Sequence, residues 1–213
     1  METYKLITKE AFDSVADEYI NRDKGVVDEA FDVKSALTKF MSLIPQNGRA
    51  LDIGTGGGRD SRFLHENGFH VTGIDISQEL LSRASAVQPE IDYRLMDFEH
   101  LDFPDNQFDG IWANASLHHI PKINLPNVLK KISSLLKEGG ILFIKMKQGT
   151  KQEGIRENEK FGKKIKRYFA YYTKEELGNL LIDNGFNVID TRILTDGKWV
   201  DVFAKKQSLP DKT

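Results

Sequence analysis

LDIGTGGGRD, residues 51–60, sets Asp52 two positions ahead of a glycine run that holds Gly54, Gly56 and Gly58. A short apolar run, Ala50–Ile53, leads into it, and Arg59–Asn67 follows with the spacing of an amphipathic helix. A strand that turns through bare backbone into a helix presents free N–H groups to the charged end of a ligand. Two ligand types compete at this point: the pyrophosphate of a dinucleotide, and the amino-acid end of another nucleoside cofactor.

The rhythm of the stretch continues on both sides. Apolar runs at Phe69–Ile74, Ile91–Met96, Phe108–Ala113 and Ile141–Met146 alternate with helical patterns at Gln78–Ala86 and Leu125–Lys137. Such alternation predicts an α/β fold, a Rossmann-like, doubly wound and mostly parallel sheet with helices on both faces. Gly68 and Gly185 sit where helices end in a left-handed turn, and Thr173 with Glu176 reads as a capping box. Phe186–Leu194 and Trp199–Ala204 are joined only by a turn at Asp196-Gly197, so the sheet finishes with an antiparallel hairpin. Upstream, Phe12, Val15, Ala16 and Tyr19 fall on one face of a single expected helix, and Asp32–Leu43 reads as another. The organisation expected is a helical cap over 1–45, a core over 46–206 and a frayed tail over 207–213.

A chain of 213 residues, 39% hydrophobic, supports one sizeable core. Its net charge of -2 gives no global attraction to nucleic acid or to an anionic membrane. The charged first twenty residues lack the apolar core of a signal peptide, and no window approaches the ~18 apolar residues of a membrane span. A cytoplasmic protein is expected. With no cysteine, disulfides, thiolate metal sites and cysteine nucleophiles are excluded, and no His/Asp/Glu spacing suggests a metal site.

In a doubly wound sheet, ligands bind beyond the carboxyl ends of the strands. Asp75 ends the second strand at the spacing where an acid accepts both ribose hydroxyls. Asp97, between Met96 and Phe98 at the end of the third, suits an exocyclic amine on a flat base, and adenine fits. The dinucleotide version of the glycine loop wants a small residue at the sixth position, where this chain has Arg59. Asp52 would also sit badly beside a pyrophosphate, but it suits an ammonium group, held directly or through water.

LDIGTGGGRD, GIDIS, MDFEHLDFPDNQFDGIWANASLHHI and LLKEGGILFI, in this order and spacing, resemble the motifs of class I S-adenosylmethionine-dependent methyltransferases. The likeness runs from about Phe12 to Ala204. It implies a seven-stranded sheet, S-adenosyl-L-methionine as cofactor, its methionine end on the glycine loop, its ribose on Asp75, and adenine near Ile76, Met96, Asp97 and Phe98. It further implies that Asn114 lies by the methionine moiety and that Tyr19 closes over the cofactor. Thr55 stands where many relatives have Cys, a tolerated departure because the loop acts through its backbone.

The chemistry implied is in-line displacement onto an O or N acceptor, resting largely on positioning and exclusion of water. His118 and His119, just past the fourth strand, are candidates to take the acceptor's proton, with His119 preferred. A small-molecule acceptor is expected. Asn114-Ala115-Ser116-Leu117 lacks the signature of enzymes that methylate exocyclic amines of bases, and cytosine C5 chemistry in its common form needs the absent cysteine. Residues 145–174 hold ten basic and three acidic residues and lie where relatives place a substrate lid, about 147–172. Arg167, Tyr168 and Tyr172 are the substrate-contact candidates there. An RNA acceptor held through this basic segment, and a non-catalytic nucleoside-binding protein, are the alternatives.

Overall fold

β1 (Arg49–Ile53) pairs in parallel with β2 (His70–Asp75) on one side and β4 (Phe108–Asn114) on the other, and this reversal of strand order opens the crevice that holds the site. The computed structural model describes residues 2–23 and 33–208. Asp32, the part of the expected cap between 24 and 32, and the tail from 209 lie outside the described residues. β3 (Asp92–Leu95) and β5 (Leu136–Lys147) extend the parallel set, and β8 (Phe186–Ile193) and β9 (Trp199–Lys206) complete seven strands in the order β3-β2-β1-β4-β5-β9-β8. β9 runs antiparallel to both neighbours, as the short turn before it requires.

Strand alternation divides the core into two layers. Leu51, Ile53, Ile111 and Leu142 face α6 (Leu125–Leu135) and α7 (Lys174–Asp183). Ala50, Trp112 and Phe143 face α3 (Val33–Leu43) and α4 (Arg59–Glu66). α5 (Gln78–Val87) is capped by Ser77, and α7 has the expected Thr173–Glu176 capping box, each satisfying an N–H left free at a helix start. No helix among the described residues is long and apolar enough to cross a membrane.

One expectation is corrected. The single first helix is two, α1 (Thr3–Asp13) and α2 (Ala16–Asp23), separated at Ser14 and Val15. Phe12 and Tyr19 still meet edge to face at 5.8 Å, so the periodicity registered a shared contact across a break in the backbone. The lid segment contains a two-stranded antiparallel hairpin, β6 (Gly154–Lys160) and β7 (Lys163–Phe169). Ile165 of β7 packs on Ala11 and Val15, which anchors the hairpin against the N-terminal helices.

Candidate functional site

The glycine loop is held from below by β2. Gly54 N–H and Thr55 N–H both donate to the Ile74 carbonyl, at 2.8 and 2.9 Å. Gly54 has φ +75°, and a Cβ there would stand 2.4 Å from the Cβ of Ser116, so only glycine fits. Gly56 is different: nothing lies within 4 Å of the place its Cβ would take, which leaves its backbone open to a ligand. Asp75 at the end of β2 accepts the Gly56 N–H through Oδ2 and the Ser77 N–H through Oδ1, both at 2.9 Å. Burial pushes its carboxyl up despite these donors.

A second acid borders the loop. Asp60, in the first turn of α4, accepts from Trp112 Nε1 at 2.9 Å and Asn114 Nδ2 at 2.7 Å through one oxygen, and from Arg59 Nε at 2.8 Å through the other. Burial opposes its ionisation, but the Arg59 charge and these donors hold it below the usual carboxylate range. Asp97 is also tied. Lys5 Nζ lies 2.7 Å from its Oδ2 and 2.9 Å from Glu99 Oε2, an ion cluster that brings α1 against the end of β3. Burial would raise Asp97, and the Lys5 ammonium outweighs it.

These groups line one end of a cavity of about 1460 Å³, with Ile76 and Phe98 as apolar walls beside Asp75 and Asp97. The other end is lined by His118, His119, Lys147, Arg167, Phe169 and Trp199. His119 Nδ1 lies 2.6 Å from the Tyr168 carbonyl oxygen. A carbonyl only accepts, so Nδ1 carries the proton and Nε2 keeps its lone pair. Burial, and then the Arg167 charge, pull His119 down to about 3, which keeps the ring neutral. His118 is neutral for the same leading reason, stacked near Phe169 with its Nδ1 unpartnered.

The model of a family described as a methyltransferase domain matches residues 28–191. The chain belongs to that methyltransferase domain family. Its fold is that of the class I, S-adenosylmethionine-dependent methyltransferases. The CcbJ methyltransferase of Streptomyces caelestis superposes with a TM-score of 0.76 at 14% identity, covering 94% of this chain and 99% of that one. A Burkholderia thailandensis 1,6-didemethyltoxoflavin-N1-methyltransferase, solved with 1,6-didemethyltoxoflavin and S-adenosylhomocysteine, gives 0.66 at 19% identity over 93% of this chain and 88% of that one. Among curated proteins, 27-O-demethylrifamycin SV methyltransferase of Amycolatopsis mediterranei is 34% identical over 129 residues, 54% of this chain and 46% of the relative. The chain spans under half the length of the first curated relatives it matches.

Most residues singled out from the sequence meet in the cavity of this methyltransferase domain: Tyr19, Gly54, Thr55, Gly56, Asp75 and Ile76, then Asp97, Phe98, Asn114, both histidines and Arg167. Asp52, Gly58, Met96, Tyr168 and Tyr172 do not line it. Asp52 alternates with Leu51 and Ile53 onto the α4 face, where it accepts from Ser61 Oγ at 2.7 Å beneath the loop. Gly58 caps α4 with its Cβ position 2.3 Å from the Tyr93 hydroxyl oxygen, and Met96 packs on the core. Tyr168 packs against Tyr4 with the ring centres 5.3 Å apart and the rings tilted, outside the cavity, and Tyr172 is buried in the core. The cavity is also lined by residues that the sequence did not single out. Asp60 lines it beside the glycine loop, and its signal was present: position 60 lies in the first turn of the helix that follows the loop. Lys5, Lys147 and Trp199 carried no such local mark.

Proposed function

We propose that this chain is an S-adenosylmethionine-dependent methyltransferase acting on an O or N atom of a small molecule. One observation carries the reading: a single cavity joins the Gly56 backbone and Asp75 at one end to His119 and Arg167 at the other. The residues present fit the cofactor. Carboxylates at Asp60, Asp75 and Asp97 line the first end, which favours a cationic sulfonium amino acid and disfavours a pyrophosphate. Arg59, paired to Asp60, also fills the position where a dinucleotide loop needs a small residue.

The glycine-loop backbone and the Asp60–Asn114 pair would hold the amino-acid end, Asp75 the ribose, and Ile76 and Phe98 the adenine. S-adenosylmethionine, when bound, supplies a methyl group on a positively charged sulfur that leaves as a neutral thioether by in-line displacement. The chain's own part is to orient the acceptor and exclude water. His119 supports this through Nε2, a fixed acceptor that aligns an O–H or N–H without being a strong base. Phe12 closes over that ring edge to face at 5.4 Å, which supports a dry site. The hairpin gives little support to an RNA acceptor, because Phe169 and Tyr172 pack inward and offer no platform for bases.

Calorimetry tests the cofactor: S-adenosylhomocysteine should bind at micromolar level and NAD should not. Transfer of labelled methyl into cell extract tests the acceptor, with label expected among small metabolites. Label in RNA would replace the acceptor class, and binding without any transfer would favour a non-catalytic protein.

A further inference from the structure

The two ends of the cavity differ in charge. Arg167, on β7, is only 6% exposed, and it cannot shed its charge as a buried lysine can. One terminal nitrogen donates to Asn158 Oδ1 at 3.0 Å, while Nε has no hydrogen-bond partner among the described residues. Among the described residues Arg167 forms no ion pair. Its guanidinium carbon lies 5.4 Å from the Phe12 ring centre and 5.0 Å from that of Phe169, so aromatic rings crowd its faces. A ligand is then best met at the guanidinium edge, the geometry that suits a carboxylate or phosphate.

The register of the hairpin explains why no acid of its own neutralises this group. Glu157 stands opposite Lys166 and Glu159 opposite Lys164, on the strand face away from Arg167, and both also border the cavity. Arg156 stands opposite Arg167 and Asn158 opposite Ile165, so the hairpin positions that share the Arg167 face include no acid. Lys147 adds to the charge. It forms no ion pair among the described residues, its Nζ lies 3.6 Å from the Trp199 ring centre, and burial followed by the Arg167 charge pulls it down to about 8.

We propose that the methyl acceptor carries an oxyanion, a carboxylate or a phosphate ester, on a flat apolar body. Arg167 binds the anion by its edge with Lys147 beside it, and Phe12, Phe169 and Trp199 enclose the body. The proposal rests on the methyltransferase reading, and the difference it uses is that Asp60 and Asp97 at the cofactor end are ion-paired while Arg167 forms no ion pair among the described residues. It also places a negative charge near His119, offsetting the positive field that weakens that ring as a base.

The test is calorimetric titration of the whole chain, saturated with S-adenosylhomocysteine, using three probes of similar shape: 1-naphthoate, 1-naphthyl phosphate and neutral 1-naphthamide. At least one anion should bind about tenfold or more tightly than the amide, as a charge-assisted pair requires. Whichever anion is tighter names the oxyanion. Arg167→Gln should abolish the preference and Arg167→Lys should retain part of it, with S-adenosylhomocysteine affinity unchanged in both. Equal binding of all three probes, no binding of any, or a preference that survives in Arg167→Gln overturns the proposal. The wild-type comparison stands even if a variant folds poorly. Failure of the cofactor reading shows separately, as absent S-adenosylhomocysteine binding in the first titration.

Discussion

The Asp75 carboxylate accepts the Gly56 N–H at 2.9 Å, so the acid that ends the second strand also latches the glycine loop after the first. One side chain thereby serves two parts of the proposed cofactor site. Asp75→Ala removes a ribose acceptor and frees the loop together. S-adenosylhomocysteine affinity should fall by roughly 2 to 4 kcal/mol, the size of a charge-assisted pair of hydrogen bonds. Calorimetry checks this, and an unchanged affinity would move the ribose elsewhere.

Gly54 and Gly56 are both left-handed but face different surroundings. A Cβ at Gly54 meets Ser116 at 2.4 Å, whereas one at Gly56 meets nothing within 4 Å. Gly54→Ala should therefore cost about 3 kcal/mol of stability and Gly56→Ala about 1 kcal/mol. Cofactor affinity should still drop in Gly56→Ala, because the added methyl stands at the open backbone. Urea unfolding and calorimetry together check the ordering, and the reverse ordering would refute it.

Asp52 makes a pH prediction. Burial, and then the charge of Asp60, push its carboxyl up to about 7 from the ordinary 3.8. The folded state then holds a proton that the unfolded chain has released, so stability falls as pH rises from about 4 to about 7. Asp52→Asn keeps an acceptor for Ser61 and removes the titration. Its stability relative to wild type should rise across that window and level off above it, measured by thermal unfolding from pH 4 to 9. A difference independent of pH would show that Asp52 is already ionised.

The two histidines act in the opposite direction. Both are held neutral in the fold while the unfolded chain protonates near 6.5, so acidification below that value favours unfolding. His118→Gln should flatten this acid loss with little effect on transfer. His119→Ala should slow methyl transfer by about a hundredfold, the lower end of what a positioned proton acceptor contributes. Single-turnover transfer into the labelled acceptor fraction checks both, and equal effects of the two substitutions would remove the special role of His119.

The parallel sheet, its order of strands and helices, the glycine turn, Asp75 and Asn114 were legible in the chain because each depends on local periodicity or on position at a strand end. Those signals act within one element and need no partner. The break at Ser14 escaped because the face it interrupts remains continuous in space. Tyr168 and Arg167 are neighbours in sequence with identical claims to a substrate, yet period-two alternation in β7 turns one toward Tyr4 and the other into the cavity. Which face was inward depended on how the hairpin packs against α1, and nothing local encodes that. The same holds for Lys5, which reaches Asp97 across 92 positions of chain. Sequence by itself determined the architecture and placed Gly54, Gly56, Asp75, Asp97 and Asn114 along the crevice. The acceptor end, with its unpaired guanidinium and its neutral histidines, was decided only by tertiary structure, because burial and the choice of charge partners are set by elements far apart in the chain.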